Sequence, residues 1–403
     1  MKRFGWILVL LLATSPAWAA KKITVGQLED LLHSLQQAKK TDVEVATALK
    51  QIELTEELTR KTMNSLVDYV PGPLSTEQIY VLEAESAMLA PPAADLPTTP
   101  APDAAAQKAI LDKAADYVTK TYGQLPHLTV TKTTLRFQDH VEALAGDSGI
   151  VGNAKEAVTT FGLSNPASYV HYINSTETQI ESEHGAEKPP SEKDKTRWGM
   201  NRMITLREPD PSLSVIFQDA QAAGNVRWLR WELVNGGQAA VYSFAVPKKK
   251  SPLALNVCCF PNVSQIGVAR FYNSMDASMI AGQEAAGGGG GGVTGNVQTT
   301  ADWYNYKASV PYHGEFFIDP DTGIVVRMIT EAEIKPSEVV HQVDTRIDYA
   351  PVSIGDKSIV LPVRTIINTE VVPNGDSGAA RYATRRTLFT AEYKNYQLAG
   401  THP

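Results

Sequence analysis

The sequence predicts an α+β protein: a small helical module followed by a large, curved antiparallel β-sheet of half-barrel type with a covering helix. Three observations carry this. Apolar residues recur at helical spacing from residue 23 to about 90, and a proline-rich stretch then interrupts the pattern. From Leu125 onward the period changes to two, in many short segments separated by turn residues. Strands that follow one another with short turns pair antiparallel, and a sheet that long curves.

Residues 1–19 (MKRFGWILVLLLATSPAWA) have the layout of a secretory signal peptide. Lys2 and Arg3 precede an apolar run, and Ala17-Trp18-Ala19 offers a small-x-small cleavage site. The run is shorter than the roughly 20 residues that a spanning helix needs. Export to the periplasm or extracellular space is therefore expected, with no transmembrane span in the mature chain.

The helical module is expected over 20–90. Thr24 and Gln27 have capping-box spacing, and Leu28, Leu31, Leu32 and Leu35 follow on one face. A second helix from Asp42 would carry Val45, Leu49, Ile52 and Leu54. A third would run from Glu56 to Val67, ended by Pro71-Gly72-Pro73. A fourth would cover Ser75–Leu89, with Ser75 and Gln78 repeating the capping pattern. Pro91–Ala105 (PPAADLPTTPAPDAA) has linker composition, and the domain boundary is placed there. Asp103 is positioned to cap a helix over Ala104–Tyr122.

The sheet domain is expected over 106–403. Leu128–Phe137 alternates and is rich in β-branched residues. Further strands are expected at Tyr169–Ile173, Met203–Leu206, Val226–Leu233, Ala239–Val246, Ala254–Phe260, Val310–Ile318, Val325–Ile334, Val343–Val352, Ser358–Thr369 and Arg381–Leu398, with a short helix near Ser212–Ala222. Asn235-Gly236-Gly237 and Asp319–Gly323 have the chemistry of tight turns. Ile180–Arg197 is charged and lacks apolar anchors, and Gly287–Gly292 is six consecutive glycines. Both are expected to be loose, as insertions near 180–197 and 281–300.

Composition excludes some functions. The chain has 37 Lys+Arg against 44 Asp+Glu, a net charge of −7, and no basic stripe. Nucleic-acid binding needs clustered cations and is not expected. Cys258 and Cys259 are the only cysteines. A bridge between neighbours would close a strained ring, so the simplest expectation is two strand residues; a vicinal redox or metal pair and an intermolecular bridge are the alternatives.

No motif for metal-dependent hydrolysis, phosphate cradling or dinucleotide binding occurs, and neither a cofactor nor a metal is expected. Gly146–Gly149 and Gly375–Gly378 both spell Gly-Asp-Ser-Gly, the tetrapeptide found around some nucleophilic serines. Both lie in turn-rich contexts without a histidine placed to serve as base. Asp319–Gly323 could suggest a calcium loop, but the later ligands are missing. Trp228 and Arg230 fall on one face of a regular strand, and Arg227, Leu229 and Trp231 on the other. Ordinary sheet packing explains them; the sharper reading makes them part of an apolar cavity lining.

Several segments occur in a recognisable order: Leu125–Phe137, Gly314–Arg327 (GEFFIDPDTGIVVR), Asp348–Gly355, Leu361-Pro-Val-Arg364 and Glu392–Tyr396. On these the chain resembles a family of uncharacterised secreted proteins abundant in soil acidobacteria, and the helical segment Thr24–Thr59 shares the resemblance. The Ile-Asp-Pro-Asp-Thr-Gly hairpin and Leu-Pro-Val-Arg also look like periplasmic lipoprotein-carrier and lipoprotein-sorting proteins. That resemblance implies an open half-barrel around an apolar cavity with helices as a lid; it supplies no catalytic residues.

The expected function is non-catalytic binding of an apolar or amphipathic ligand, a lipid or an acylated protein, in the cell envelope. Trp228, Leu233, Tyr242, Phe244, Phe316, Ile318 and Val326 are the candidate cavity lining. The alternative is an envelope assembly factor that docks a protein partner through its helical module. An exported hydrolase is the third reading.

Overall fold

The structure, a computed structural model of the chain, describes residues 21–138, 170–188, 205–206, 212–250, 253–261, 303–338, 340–371 and 386–399. The signal-peptide segment, both Gly-Asp-Ser-Gly tetrapeptides and the glycine run lie outside these residues.

Helix α1 (Val25–Gln37) starts at Thr24, whose side chain accepts from the Gln27 N–H while Gln27 reaches back to the Thr24 N–H. A second capping box, Thr41 with Glu44, starts α2 (Asp42–Leu49). Ile52 and Leu54 were expected on the second helix. They instead form strand β2 (Ile52–Leu54), which pairs parallel with β1 (Lys21–Ile23). Alternating burial of Ile52 and Leu54 fits a short strand better than a helix end.

Helix α3 (Arg60–Leu66) begins later than the sequence suggests, at the cap Thr59. Helix α4 (Pro73–Glu85) begins earlier: Pro73 is at the first turn, where its missing N–H costs nothing. Its cap comes from another helix. Asp42 accepts from the N–H groups of Leu74 and Ser75 and from the Ser75 hydroxyl, at 3.0, 2.8 and 2.6 Å. These elements enclose a core that includes Leu28, Leu32, Leu49, Leu58, Met63 and Ile79.

Between the helices and the sheet, Ala93–Asp95 forms a short 3-10 turn, and the Pro100 carbonyl accepts from Trp231 Nε1 at 2.9 Å. Asp103 caps α5 (Ala104–Lys120) as expected, accepting from the Ala106 N–H at 2.8 Å.

The fold is α+β, built on an open ten-stranded sheet. In chain order its strands are β3 (Leu128–Gln138), β4 (His171–Glu183), β5 (Ala186–Glu187), β7 (Arg227–Val234), β8 (Gly237–Val246), β11 (Tyr312–Ile318), β12 (Val325–Ala332), β13 (Val340–Ile354), β14 (Lys357–Val371) and β15 (Arg386–Leu398). In space the order is β5-β4-β3-β15-β14-β13-β12-β11-β8-β7, and every pairing is antiparallel. A separate three-stranded sheet holds β6 (Thr205–Leu206), β9 (Leu253–Pro261) and β10 (Trp303–Val310), so the strands do not all join one sheet. Cys258 and Cys259 are consecutive residues of β9.

Part of the segment expected to be loose is ordered. Residues 180–187 belong to β4, a tight turn with His184 and Gly185 both at positive φ, and β5. The charges there alternate along a sheet edge, where one side chain in two faces water.

One face of the sheet is covered by α5 and by α6 (Leu213–Ala223). Ile110, Ala114 and Val118 from α5, with Leu213, Ile216 and Phe217 from α6, pack on that face. The helical module sits on the opposite face, where Val81, Ala84 and Ala87 meet Phe137, Ile366 and Leu388.

Candidate functional site

The expected cavity lining is distributed by the sheet's actual register. Tyr242, Phe244, Phe316 and Ile318 share the helix-covered face and are buried. The Phe316 ring stacks on Phe244 with centroids 4.3 Å apart and tilts against Phe217 of α6 at 4.9 Å. These side chains pack beneath the helices. Trp228 lies at the margin of the same cluster, and Leu233 is 50% exposed. Val326 belongs to the other face, packed with Phe317 and Ile329, because an irregularity pairs Ile318 with Val325 and shifts Val326 out of alternation.

A bulge has the same effect on β7. Trp228 pairs with Tyr242 and Arg230 with Val241, leaving Leu229 as the extra residue. Trp228 and Trp231 therefore share a face, their rings 4.8 Å apart, while Arg230 turns to the opposite face. Strict alternation had separated the two tryptophans.

The opposite face carries what sequence reasoning missed, a buried network of arginines and carboxylates. Arg327 Nε donates to Asp348 at 2.7 Å, and its Nη1 lies 3.4 Å from Glu232 and 3.7 Å from Glu57. Arg346 donates through Nη1 to Glu57 at 2.6 Å and to the Ala87 carbonyl at 2.9 Å, and its Nε lies 3.2 Å from Asp348. Arg364 grips Glu83 of α4 with both terminal nitrogens at 2.5 Å. Arg230 bonds Glu232 at 2.6 Å and holds both oxygens of Glu315 at 3.0 and 2.9 Å. Paired, bidentate geometry is what makes such burial tolerable, since an unpaired buried charge is costly.

The electrostatics follow from this geometry. Burial alone would raise the Asp348 carboxyl, but Arg346 and Arg327 outweigh it and hold Asp348 far below the usual carboxylate range. Burial alone would lower the Arg346 guanidinium; Asp348 and Glu57 push it the other way. For Glu232 burial wins over Arg230 and Arg327, and its pKa is raised.

Two of these carboxylates, Glu57 and Glu83, belong to the helical module, and the four arginines belong to the sheet. Around them Arg60 meets Glu392, Arg386 meets Glu85, each at 2.9 Å, and Glu77 accepts from the Tyr172 N–H. The network is thus the seam that seats the module. Its one sequence signal is that Arg327, Asp348 and Arg364 all fall within the segments quoted for the family resemblance. On alternating strands they would ordinarily be read as a solvated face.

Asp344, beside this seam, is a separate case. Burial raises its pKa to about 6, opposed by the Gln342 amide that donates to it and by His313, and supported by the Glu331 carboxylate. The folded protein therefore binds this proton more tightly than the unfolded chain. Stability from this group is full below about pH 4 and is lost as pH rises through about 6. Asp344→Asn removes the ionisation. It is expected to raise stability by about 3 kcal/mol at pH 7 and by little at pH 4. Urea unfolding at both values checks this; an equal effect at both would refute it.

Two small clefts adjoin these features. One, beside Glu57, Arg230, Glu232 and Arg327, offers about 70 Å³ to the centres of water molecules. The other, ringed by Tyr122, Tyr349, Tyr393 and Tyr396, offers about 30 Å³. Ligand pockets are several times larger, about 300–1,000 Å³. Among the described residues no group of three or more His, Cys, Asp or Glu is arranged to hold a metal ion. No helix among them is long and apolar enough to cross a membrane. Asp319–Gly323 is a turn in which Asp319 accepts from the N–H groups of Asp321 and Thr322, with Gly323 at φ 76°.

Neither a protein-family model nor a curated protein matches the chain. Among solved structures, the complex of MucA and MucB from Pseudomonas aeruginosa matches 72% of this chain and 94% of that one, at 10% identity and a TM-score of 0.20. A likeness that low carries no statement about fold or function.

Proposed function

We propose that the protein is an exported, non-catalytic docking protein of the cell envelope, which presents its helical module to a protein partner from a fixed platform. One observation carries this reading: Glu57 and Glu83 of the module are locked onto Arg346, Arg327 and Arg364 in the middle of the sheet. A seam of that kind holds an element in one orientation, because each charge is buried and loses its partner if the module shifts. The other sheet face is occupied by α5 and α6, and the candidate lining residues Tyr242, Phe244, Phe316 and Ile318 are spent on packing those helices. This favours docking over the carriage of a lipid or acylated protein.

The test is titration of the mature chain with an apolar naphthylamine probe, followed by phospholipid. The expected result is no saturable binding. Stoichiometric binding that phospholipid displaces would overturn this reading and restore the carrier. A photo-crosslinking residue at exposed Val43 or Leu74 of the module, in the producing cell, is expected to yield one discrete heteromeric adduct. Failure at both sites would count against docking through the module.

A further inference from the structure

The small three-stranded sheet carries both cysteines of the chain. Cys258 and Cys259 lie on its central strand β9, between β10 and the two-residue β6. On a regular strand, neighbouring residues belong to opposite faces of the sheet, and Cβ vectors that point apart cannot be bridged. The register of β9 against β10 is not regular at this point. Tyr304 pairs with Phe260, and Tyr306 pairs with Val257. Asn305 is therefore opposed by both Cys258 and Cys259. Two residues against one is the count that defines a β-bulge.

The approach to the bulge is ordinary strand. Leu255 and Val257 are buried and share a core with Val340, Val343 and Val371 of the large sheet, while Ala254 between them and the strand's start is exposed. On the other side β6 stays in step, with Leu206 opposite Val257 and Thr205 opposite Cys258. Alternation thus holds up to Val257 and breaks at the cysteine pair. A disulfide between adjacent residues closes a small ring that includes the peptide bond joining them. Such a ring needs backbone that has left the pleat, and in this strand the bulge supplies it there.

We infer that in the exported chain Cys258 and Cys259 are joined to each other, as a strained and easily reduced disulfide. The chain has no other cysteine, so neither has a different partner within it. Oxidising compartments outside the cytosol sustain such bonds. The oxidant is a disulfide, and the step is thiol–disulfide exchange. One cysteine thiolate attacks the oxidant's disulfide, forming a mixed disulfide and releasing one thiol. The second cysteine thiolate attacks the first cysteine's sulfur, closing the new S–S bond and releasing the other thiol. The two cysteine protons end on the two oxidant sulfurs, which have gained the electron pair. A bridge across one peptide bond restricts the unfolded chain little, so it is not a stabilising staple. Ring strain places it in the labile class of disulfides. The inference rests on export, which the proposed function shares, and not on docking.

The test uses mature chain recovered from the producing cell with its N-terminus at Ala20, which establishes that it was exported. It is denatured in iodoacetamide without reductant, and its intact mass is measured. No alkyl group is expected before reduction and two after it, on a chain that runs as a monomer in a non-reducing gel. With two cysteines in the chain, that pattern requires the adjacent pair to be bridged. In the folded protein, reduced glutathione is expected to open the bridge and oxidised glutathione to restore it. Two alkyl groups added without reduction overturn the inference, as does a covalent dimer that reductant separates. A bridge that glutathione opens only after unfolding overturns its assignment to the labile class.

Discussion

Replacing Arg346 with methionine is expected to destabilise the protein by about 3–5 kcal/mol, measured by urea unfolding of the mature chain. Arg346 is 5% exposed and joins three things at once: Glu57 of the helical module, the Ala87 carbonyl at the end of that module, and Asp348 on its own strand. Methionine keeps much of the volume but leaves two buried carboxylates to share Arg327 alone. Glu57→Leu combined with Arg346→Met is expected to cost less than the two single changes added together, because the second change removes a charge the first has orphaned. A loss below about 1 kcal/mol in Arg346→Met would mean that the seam does not hold the module.

The acid limb changes too. Asp348 is held below its ordinary pKa, so its stabilisation is present above the unfolded value and is lost as pH falls towards the folded one. In Arg346→Met that acid limb is expected to be shallower.

Phe316→Ala is expected to cost a further about 3–5 kcal/mol in its own right, in the same assay. The ring is fully buried between Phe244 and Phe217, and truncation leaves a void that neither α6 nor the sheet can close without moving. Leu233→Ala, on the half-exposed residue of the same expected lining, should stay within about 0.5 kcal/mol of the parent. The contrast decides whether that face is packed core or open lining. A small cost at Phe316 would mean that its ring borders free space, and the cavity would return as the site.

Several elements were legible because their signals are local. Thr24 with Gln27, Asp103 ahead of α5 and Asn235-Gly236 each act through hydrogen bonds or backbone angles within a few residues. The alternation from Leu128 onward announced a sheet, and its turns announced antiparallel order. The limits were equally physical. Ile52 and Leu54 suit a helix or a strand, and only pairing with β1 chose the strand. Asp42 caps a helix that starts more than thirty residues later, so no local motif could show it. The bulge at Leu229 and the irregularity after Phe317 each moved one residue out of alternation, which put Trp231 and Val326 on faces that a strict period of two does not give.

What the sequence by itself determined is therefore the α+β class, the antiparallel strands, the caps at Thr24 and Asp103 and the turn at Asn235-Gly236, because these rest on short-range periodicity and stereochemistry. Only the tertiary structure decided which charges are buried and which apolar residues remain exposed. Arg327, Arg346 and Arg364 are spaced along their strands as a solvated face would be. They became a buried seam because Glu57 and Glu83, which lie 289 and 281 residues from Arg346 and Arg364 in the chain, are carried onto them by the helical module. Leu229 and Leu233 look like ordinary strand residues and are left half exposed on β7, the last strand of its sheet among the described residues. Burial is a property of what the rest of the chain brings to a face, and no local pattern records it.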